Sequence, residues 1–428
     1  MLKGIANAFK VKELREKILI SVGILAIYRF GAYLPVPGIP FRGMLSAYQS
    51  AATTSGALAV LNLFSGGALS RVSVFALGIM PYITAQIIFQ MMQAVIPSLQ
   101  ALAQEGESGQ RKITQYTRYL TVVLALINAI GYLFLFKSSA YGLDFSGLPF
   151  PGWIEDIIIV GSLLTGAIII MWLGEVMTQR GIGNGMSLII FVNIMSGLPV
   201  ALIQSVQGNE HGALITAITV AIILIIIPVI VYIERGQRRI PIQYAKRVVG
   251  RRIMGAQATY LPIKVNTAGV VPIIFASSIL YFPAQIAVFF PNVQWMQDFA
   301  NTIASGWVNW VLSVFLIVFF AYFYTSMVFN PEETADQLRK SGGFIPGVRP
   351  GKATAEYIQN VLNHITLPGA VFMAAIAVVP SIVFSFTGNA LVQSFGGTSI
   401  LIMVGVAMDT IAALESQLKM HNYEGFFK

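Results

Sequence analysis

Apolar residues along this chain gather into long runs of similar length. They cover about 18–34, 74–96, 119–136, 154–173, 187–203, 213–233, 268–290, 307–329, 366–386 and 399–418. A helix needs roughly 20 mainly apolar residues to cross the hydrocarbon core of a bilayer. The pattern therefore predicts an all-α polytopic membrane protein of about ten transmembrane helices. They fall into two sets of five, 18–203 and 204–418, between an amphipathic basic segment 1–17 and a tail 419–428. If the halves are structural repeats, the odd span count forces opposite orientations, the inverted plan of many channels and transporters. The run after residue 17 continues too long for a cleavable signal and lacks a small-residue cleavage site, so the N-terminal segment is expected to be retained.

Polar positions fix the orientation. If the N-terminus is inside, 23 of the 27 Lys and Arg lie in inner segments, and the outer loops keep only Arg42 and Lys137. Basic residues of short loops stay in the cytoplasm, so both termini are predicted cytoplasmic. Composition agrees. Of 428 residues 56% are hydrophobic and 11% charged, against about a quarter charged in soluble domains. There is no cysteine, and His211, His364 and His421 lack ligand spacing, so neither a metal site nor a cofactor is expected.

Three features depart from an ordinary lipid-facing helix. The stretch 57–73 is apolar but short, broken by Gly66-Gly67, and carries Asn62 and Arg71. Such a segment at membrane depth is tolerated only inside protein or against a water-filled cavity. It reads equally as a re-entrant packing element or as a movable stopper hinged on its glycines. In the second run, Ile79, Ile83, Gln86 and Gln90 share one helical stripe with Gln93 close by. Those amides either join neighbouring helices or line a conduit that is aliphatic at mid-membrane and polar toward the cytoplasm.

The third feature is a pair of large inner loops. Residues 234–266 alternate apolar and polar positions around prolines, as in Ile240, Ile242 and Tyr244, then Tyr260, Leu261 and Ile263, and predict a basic β-hairpin. Residues 330–365 begin with Asn330 as N-cap, Pro331 at the first helical position and Glu332-Glu333 in the first turn. Gly342-Gly343 stops that helix, a turn holds Arg349, and a second helix follows. Folded basic protrusions of this size suit docking of something acidic, a protein motor or ribosomal RNA. The glycine-rich 181–185 follows a membrane helix and lacks a phosphate-binding lysine, so a nucleotide site is not expected. Arg29 and Asp409 are the deep charges, and both are functional candidates by default.

Long motifs complete the reading: LNLFSGGALSR from Leu61, ALGIMPYI from Ala76, EGESGQRKITQYTRY from Glu105, WLGE from Trp172 and RGIGNG from Arg180. Further on stand ERGQRRIPIQYAKR from Glu234, FNPEETADQLRKSGGFIPGVRPG from Phe329 and FGGTSILI from Phe395. By these the chain resembles, over essentially its whole length, the SecY family of pore-forming subunits of the bacterial Sec protein-translocation channel. The resemblance implies a plug around 57–73 that includes Asn62, Leu63, Phe64, Ser65, Gly66, Gly67, Ala68, Leu69, Ser70 and Arg71. It implies a pore ring of Ile79, Ile83, Met186, Ile190, Ile274 and Ile402, where Met186 replaces an expected isoleucine by a flexible thioether.

The second and seventh spans would form a lateral gate, with Gln86, Gln90, Gln93, Ser277 and Ser278 as its polar funnel. Arg235, Arg238, Arg239, Lys246, Arg247 and Arg349 would dock the SecA motor ATPase or the translating ribosome. SecE and SecG subunits, an unfolded preprotein or signal peptide, and membrane lipids are the other implied partners, in the bacterial cytoplasmic membrane. A secondary transporter of a small solute is the competing reading, but it would place coupling charges at the midplane. A membrane enzyme would need a catalytic constellation, and no HExxH, GxSxG or paired intramembrane aspartates occur.

Overall fold

The structure is a computed structural model that describes residues 11–37, 39, 62, 65–137, 151–207, 212–244, 247–249, 252–254, 259–290, 293–304, 306–385 and 396–424. Ten of its helices follow the ten apolar runs in order. The first half holds α1 (Lys12–Gly31), α2 (Met80–Val95), the short α3 (Pro97–Gln104), α4 (Glu107–Lys137), α5 (Gly152–Arg180) and α6 (Gly185–Gln207). The second half holds α7 (Gly212–Glu234), α8 (Val271–Phe289), the short α9 (Gln294–Ala304), α10 (Gly306–Val328), α11 (Pro331–Lys340), α12 (Lys352–Ser385) and α13 (Gly397–Glu424). Seven of these are long and apolar enough to cross a membrane. The other three fall short for separate reasons: α1 opens on a charged turn, α2 has only 16 residues, and α8 is a short apolar helix.

The late start of α2 corrects the expected span 74–96. Residues 65–79 run as successive turns, because Val72 (φ 44) and Gly78 (φ 57) lie in the left-handed region and cannot continue a right-handed helix. The segment is pinned by hydrogen bonds from Val36 N to Val72 O (3.0 Å) and from Val74 N to Leu34 O (2.9 Å). Its backbone also lies flat on α5, where a Cβ on Gly166 would come within 1.9 Å of the Val74 carbonyl oxygen.

The inner loops supply the strands β1 (Gln237–Tyr244), β2 (Arg247–Val249), β3 (Arg252–Met254), β4 (Thr259–Lys264) and β5 (Gly343–Phe344). β1 and β4 pair antiparallel with Ile240 opposite Leu261, and β2 and β3 form a smaller ribbon between them. The predicted hairpin is therefore present. Unforeseen was β5, which pairs antiparallel with the other edge of β1, Gln243 opposite Phe344. Both inner loops thus belong to one three-stranded sheet. Ile240, Ile242 and Ile263 from the sheet pack with Leu338 of α11, Ile345, and Ile358 and Leu362 of α12 in an apolar core of their own.

Around Asn330 the sequence reading holds in detail. Its side chain accepts hydrogen bonds from the backbone N–H of Glu332 and Glu333, with Pro331 at the start of α11 and Gly342 (φ 74) just past its end. The following helix differs. It does not stop before the ninth span but runs unbroken through Pro368 and Pro380 as α12. Such prolines are tolerated in membrane helices, where neighbouring helices re-satisfy the freed carbonyls.

Two further apolar clusters lie at membrane level. One draws only on residues 36–167, all from the first half. The other joins the halves and holds residues from α1, α2, α5, α6, α7, α8, α10, α12 and α13.

Candidate functional site

The cluster that joins the halves contains Ile79, Ile83, Met186, Ile190, Ile274 and Ile402 together. They come from four helices that are far apart in sequence. Ile79 precedes α2 but keeps helical angles (φ −91, ψ −3), so it continues the stripe of Ile83. Met186 and Ile190 sit one turn apart on α6, whose start is fixed by Asn184 Oδ1, which accepts from Met186 N at 3.0 Å. Opposite them α5 carries Gly174, and a Cβ there would lie 2.2 Å from Met186 Sδ. The missing side chain makes room for the thioether. Ile274 lies on α8 and Ile402 on α13, which approach closely because Gly405 faces Val270 with no side chain between.

All six are buried, from 0% exposure at Ile402 to 7% at Met186. Their side chains therefore fill this level instead of bordering an open passage.

The segment 62–71 lies beside that cluster. Leu63 and Phe64 fall outside the described residues. Asn62 organises the turn after it: its Oδ1 accepts from Ser70 N at 2.9 Å, and its carbonyl accepts from Gly67 N at 2.9 Å and Ser65 Oγ at 3.0 Å. Ser65 Oγ accepts from Leu69 N at 3.1 Å. Gly66 (φ 66) and Gly67 (φ 82) require glycine's freedom in the left-handed region. Ala68 packs into the cluster that joins the halves and Leu69 into the first-half cluster. The segment is a compact buried knot, locally self-satisfied and seated between the two.

The glutamines of α2 are less open than a water-lined funnel would make them. Gln86, Gln90 and Gln93 are half-buried, and Gln90 Oε1 is buried without a hydrogen-bond partner. Ser277 and Ser278 on α8 are also buried. Both hydroxyls donate back to the Ile274 carbonyl, at 3.0 and 2.7 Å, so they face their own helix. α2 and α8 are in direct contact.

In the two large loops, Arg235, Arg238, Arg239 and Arg349 are exposed. The pairing of β5 with β1 holds the two loops that carry them in one sheet. Lys246 lies outside the described residues, and Arg247 starts β2. Residue types and spacing did not reveal this joint platform, nor the partner of Arg29, whose Nη1 donates to the Gly66 carbonyl at 2.7 Å. Among the described residues no cluster of His, Asp and Glu could hold a metal ion.

The SecY family model matches residues 73–411. The protein translocase subunit SecY of Streptomyces coelicolor is 45% identical over 451 residues, which covers 100% of each chain. A solved structure described by the plug domain that stabilises the closed state of the SecY translocation channel matches with a TM-score of 0.60 at 17% identity. It covers 94% of this chain and 91% of that one. Sec61 in the canine ribosome-channel complex matches with a TM-score of 0.55 at 15% identity, over 94% and 91% of the two chains.

Proposed function

This chain belongs to the SecY family, and from that premise we propose that it is the central subunit of a channel that conducts unfolded secretory polypeptides across the bacterial cytoplasmic membrane and releases transmembrane segments sideways into lipid. An extended chain in hydrocarbon leaves its amides unsatisfied at several kcal/mol each, and a hydrated conduit removes that cost. The observation that carries the reading is the convergence of six aliphatic side chains from four helices in one buried cluster. It supports a seal that closes around whatever fills it, with the knot 62–71 as a plug when the channel is empty. The contact between α2 and α8 supports a lateral gate there, since both helices contribute to the ring and they belong to different halves.

The exposed arginines of the inner sheet support docking of partners on the cytoplasmic side. The related Sec61 was solved in complex with a ribosome, and we assign the same role to this platform, together with the SecA motor. SecE and SecG are the expected companion subunits. The chain performs no chemistry of its own, so the energy for transport comes from the docked partner. The charge asymmetry of the loops supports a cytoplasmic N-terminus and C-terminus. No observation favours a small-solute transporter, because the ring carries no coupling charge.

The chain has no cysteine, so single cysteines placed at Ile79, Ile83, Ile190, Ile274 and Ile402 form a direct test. With a secretory polypeptide stalled part-way, crosslinks are expected at these sites and not at exposed controls such as Leu224 or Val311. Silence at all five, with the stalled chain demonstrably engaged, would sink the ring assignment.

A further inference from the structure

We infer that Arg29 is the positioning residue that latches the plug in its seat, an inference that rests on the plug reading above. Arg29 stands in the last turn of α1, and its Nη1 donates to the Gly66 backbone carbonyl at 2.7 Å. Its guanidinium carbon lies 5.2 Å from the centroid of Tyr33, while that of Arg71, from the plug, lies 4.1 Å from the same ring. The contact is reciprocal: the first span sends a cation to the plug backbone, and the plug sends one back to an aromatic ring just beyond the span.

Two observations make this a built seat. Neither arginine takes part in an ion pair among the described residues, so the Gly66 carbonyl is the polar partner that Arg29 would lose. A cation at membrane depth without a partner is costly, and its need for that carbonyl opposes departure of the plug. The peptide at Gly66 is also enclosed from the other side. A Cβ there would come 2.5 Å from Asn193 Oδ1 of α6 and 3.1 Å from Arg29 Nη1. The receiving turn thus fits only in its left-handed glycine form, between two polar groups of the first half.

Because the acceptor is a backbone carbonyl, the latch depends on the turn's shape and not on the plug's side chains. It therefore sets how readily the plug leaves while asking of the plug sequence chiefly the glycine at 66. Loss of the latch should appear as a channel that opens too easily rather than one that fails to conduct.

The test is the resting conductance of the complete reconstituted complex in planar bilayers, read for four chains. These are the parent, Arg29→Gln, a deletion of residues 62–71, and the two changes combined. A charge-assisted hydrogen bond corresponds to about tenfold or more in an equilibrium, so Arg29→Gln is expected to raise resting open probability by about that factor. The same substitution is expected to add nothing once the plug is deleted. A tight deletion channel would refute the plug reading itself. A leaking deletion with a tight Arg29→Gln channel would overturn the latch alone, and so would a further leak in the combined variant, which marks a merely structural arginine. If Arg29→Gln does not assemble, Tyr33→Leu removes the ring between the two cations, and the same four-way comparison decides.

Discussion

Truncating Ile358 to Ala tests whether the two inner loops form one folded unit. Ile358 is 0% exposed and sits on α12 where the sheet, α11 and α12 meet, packed with Ile242, Leu338 and Ile345. Removing a buried isoleucine side chain down to Ala costs about 2–5 kcal/mol, the upper part of the range where the site cannot collapse. Here three elements are tied by strand pairing and helix packing, but the unit is small and borders water, so we place the cost near ~3 kcal/mol. Each 1.4 kcal/mol is a factor of about ten in an equilibrium. Backbone amides protected by this core should therefore exchange roughly a hundredfold faster. Hydrogen exchange followed by mass spectrometry on the reconstituted channel reads this directly. Both β1 and the segment 343–348 should accelerate together, although about a hundred residues separate them in sequence, while peptides from α4 and α5 keep their rates. Acceleration of 343–348 alone, with β1 unchanged, would refute the joint core and leave two independent loops.

Asn330→Ala removes the side chain that accepts from the Glu332 and Glu333 amides, so α11 should lose about 1 kcal/mol of stability. Faster exchange confined to its first turn is the check, and unchanged exchange would mean the cap is idle. Gly166→Val forces a side chain into the space where a Cβ would already stand 1.9 Å from the Val74 carbonyl oxygen. Overpacking costs about 1–3 kcal/mol or more, and because the obstacle here is backbone, the purified variant should unfold at a lower temperature and show a displaced 65–79 segment by crosslinking.

The sequence made plain whatever depends on local periodicity and charge. Ten apolar runs became ten helices in order, and the Asn330-Pro331-Glu332-Glu333 signal became a capped helix start. Position 74 shows the limit. The apolar run there reads as helix, but the left-handed angles at Val72 and Gly78 arise from tertiary pinning to Leu34 and Val36, which hydropathy does not record. The second loop helix and the run from 366 were read as separate elements, and the helix passes from one into the other through Pro368. The partnership of β5 with β1 was invisible because two residues of strand carry no periodicity at all. Arg29 stood out as a deep charge, yet its acceptor is a backbone carbonyl, and a carbonyl has no residue type to recognise. The ring positions came from resemblance; spacing alone identified only the α2 stripe.

The distribution of the clusters separates two events that a single opening motion would merge. The cluster of residues 36–167 lies entirely in the first half and includes Leu69, Val72 and Ala76. The side chains described as meeting the plug, Arg29 on the Gly66 carbonyl, Tyr33 under Arg71 and Asn193 beside Gly66, are also in the first half. The ring, by contrast, divides: Ile79, Ile83, Met186 and Ile190 belong to the first half, Ile274 and Ile402 to the second. On the proposed reading, parting the halves along α2 and α8 pulls the ring open and breaks up the cluster that spans them, including the packing of Ala68, yet it leaves the contacts of Arg29 and Tyr33 with the plug and the first-half packing of Leu69 in place. On the same reading, release of the plug needs a further disturbance of the first half, such as a displacement of α1 that draws Arg29 away from Gly66. A hydrophobic segment that wedges between α2 and α8 does the first without necessarily doing the second. On this geometry sideways release into lipid and passage through the pore have distinct energetic thresholds, and substitutions in the seat should shift the second while leaving the first in place.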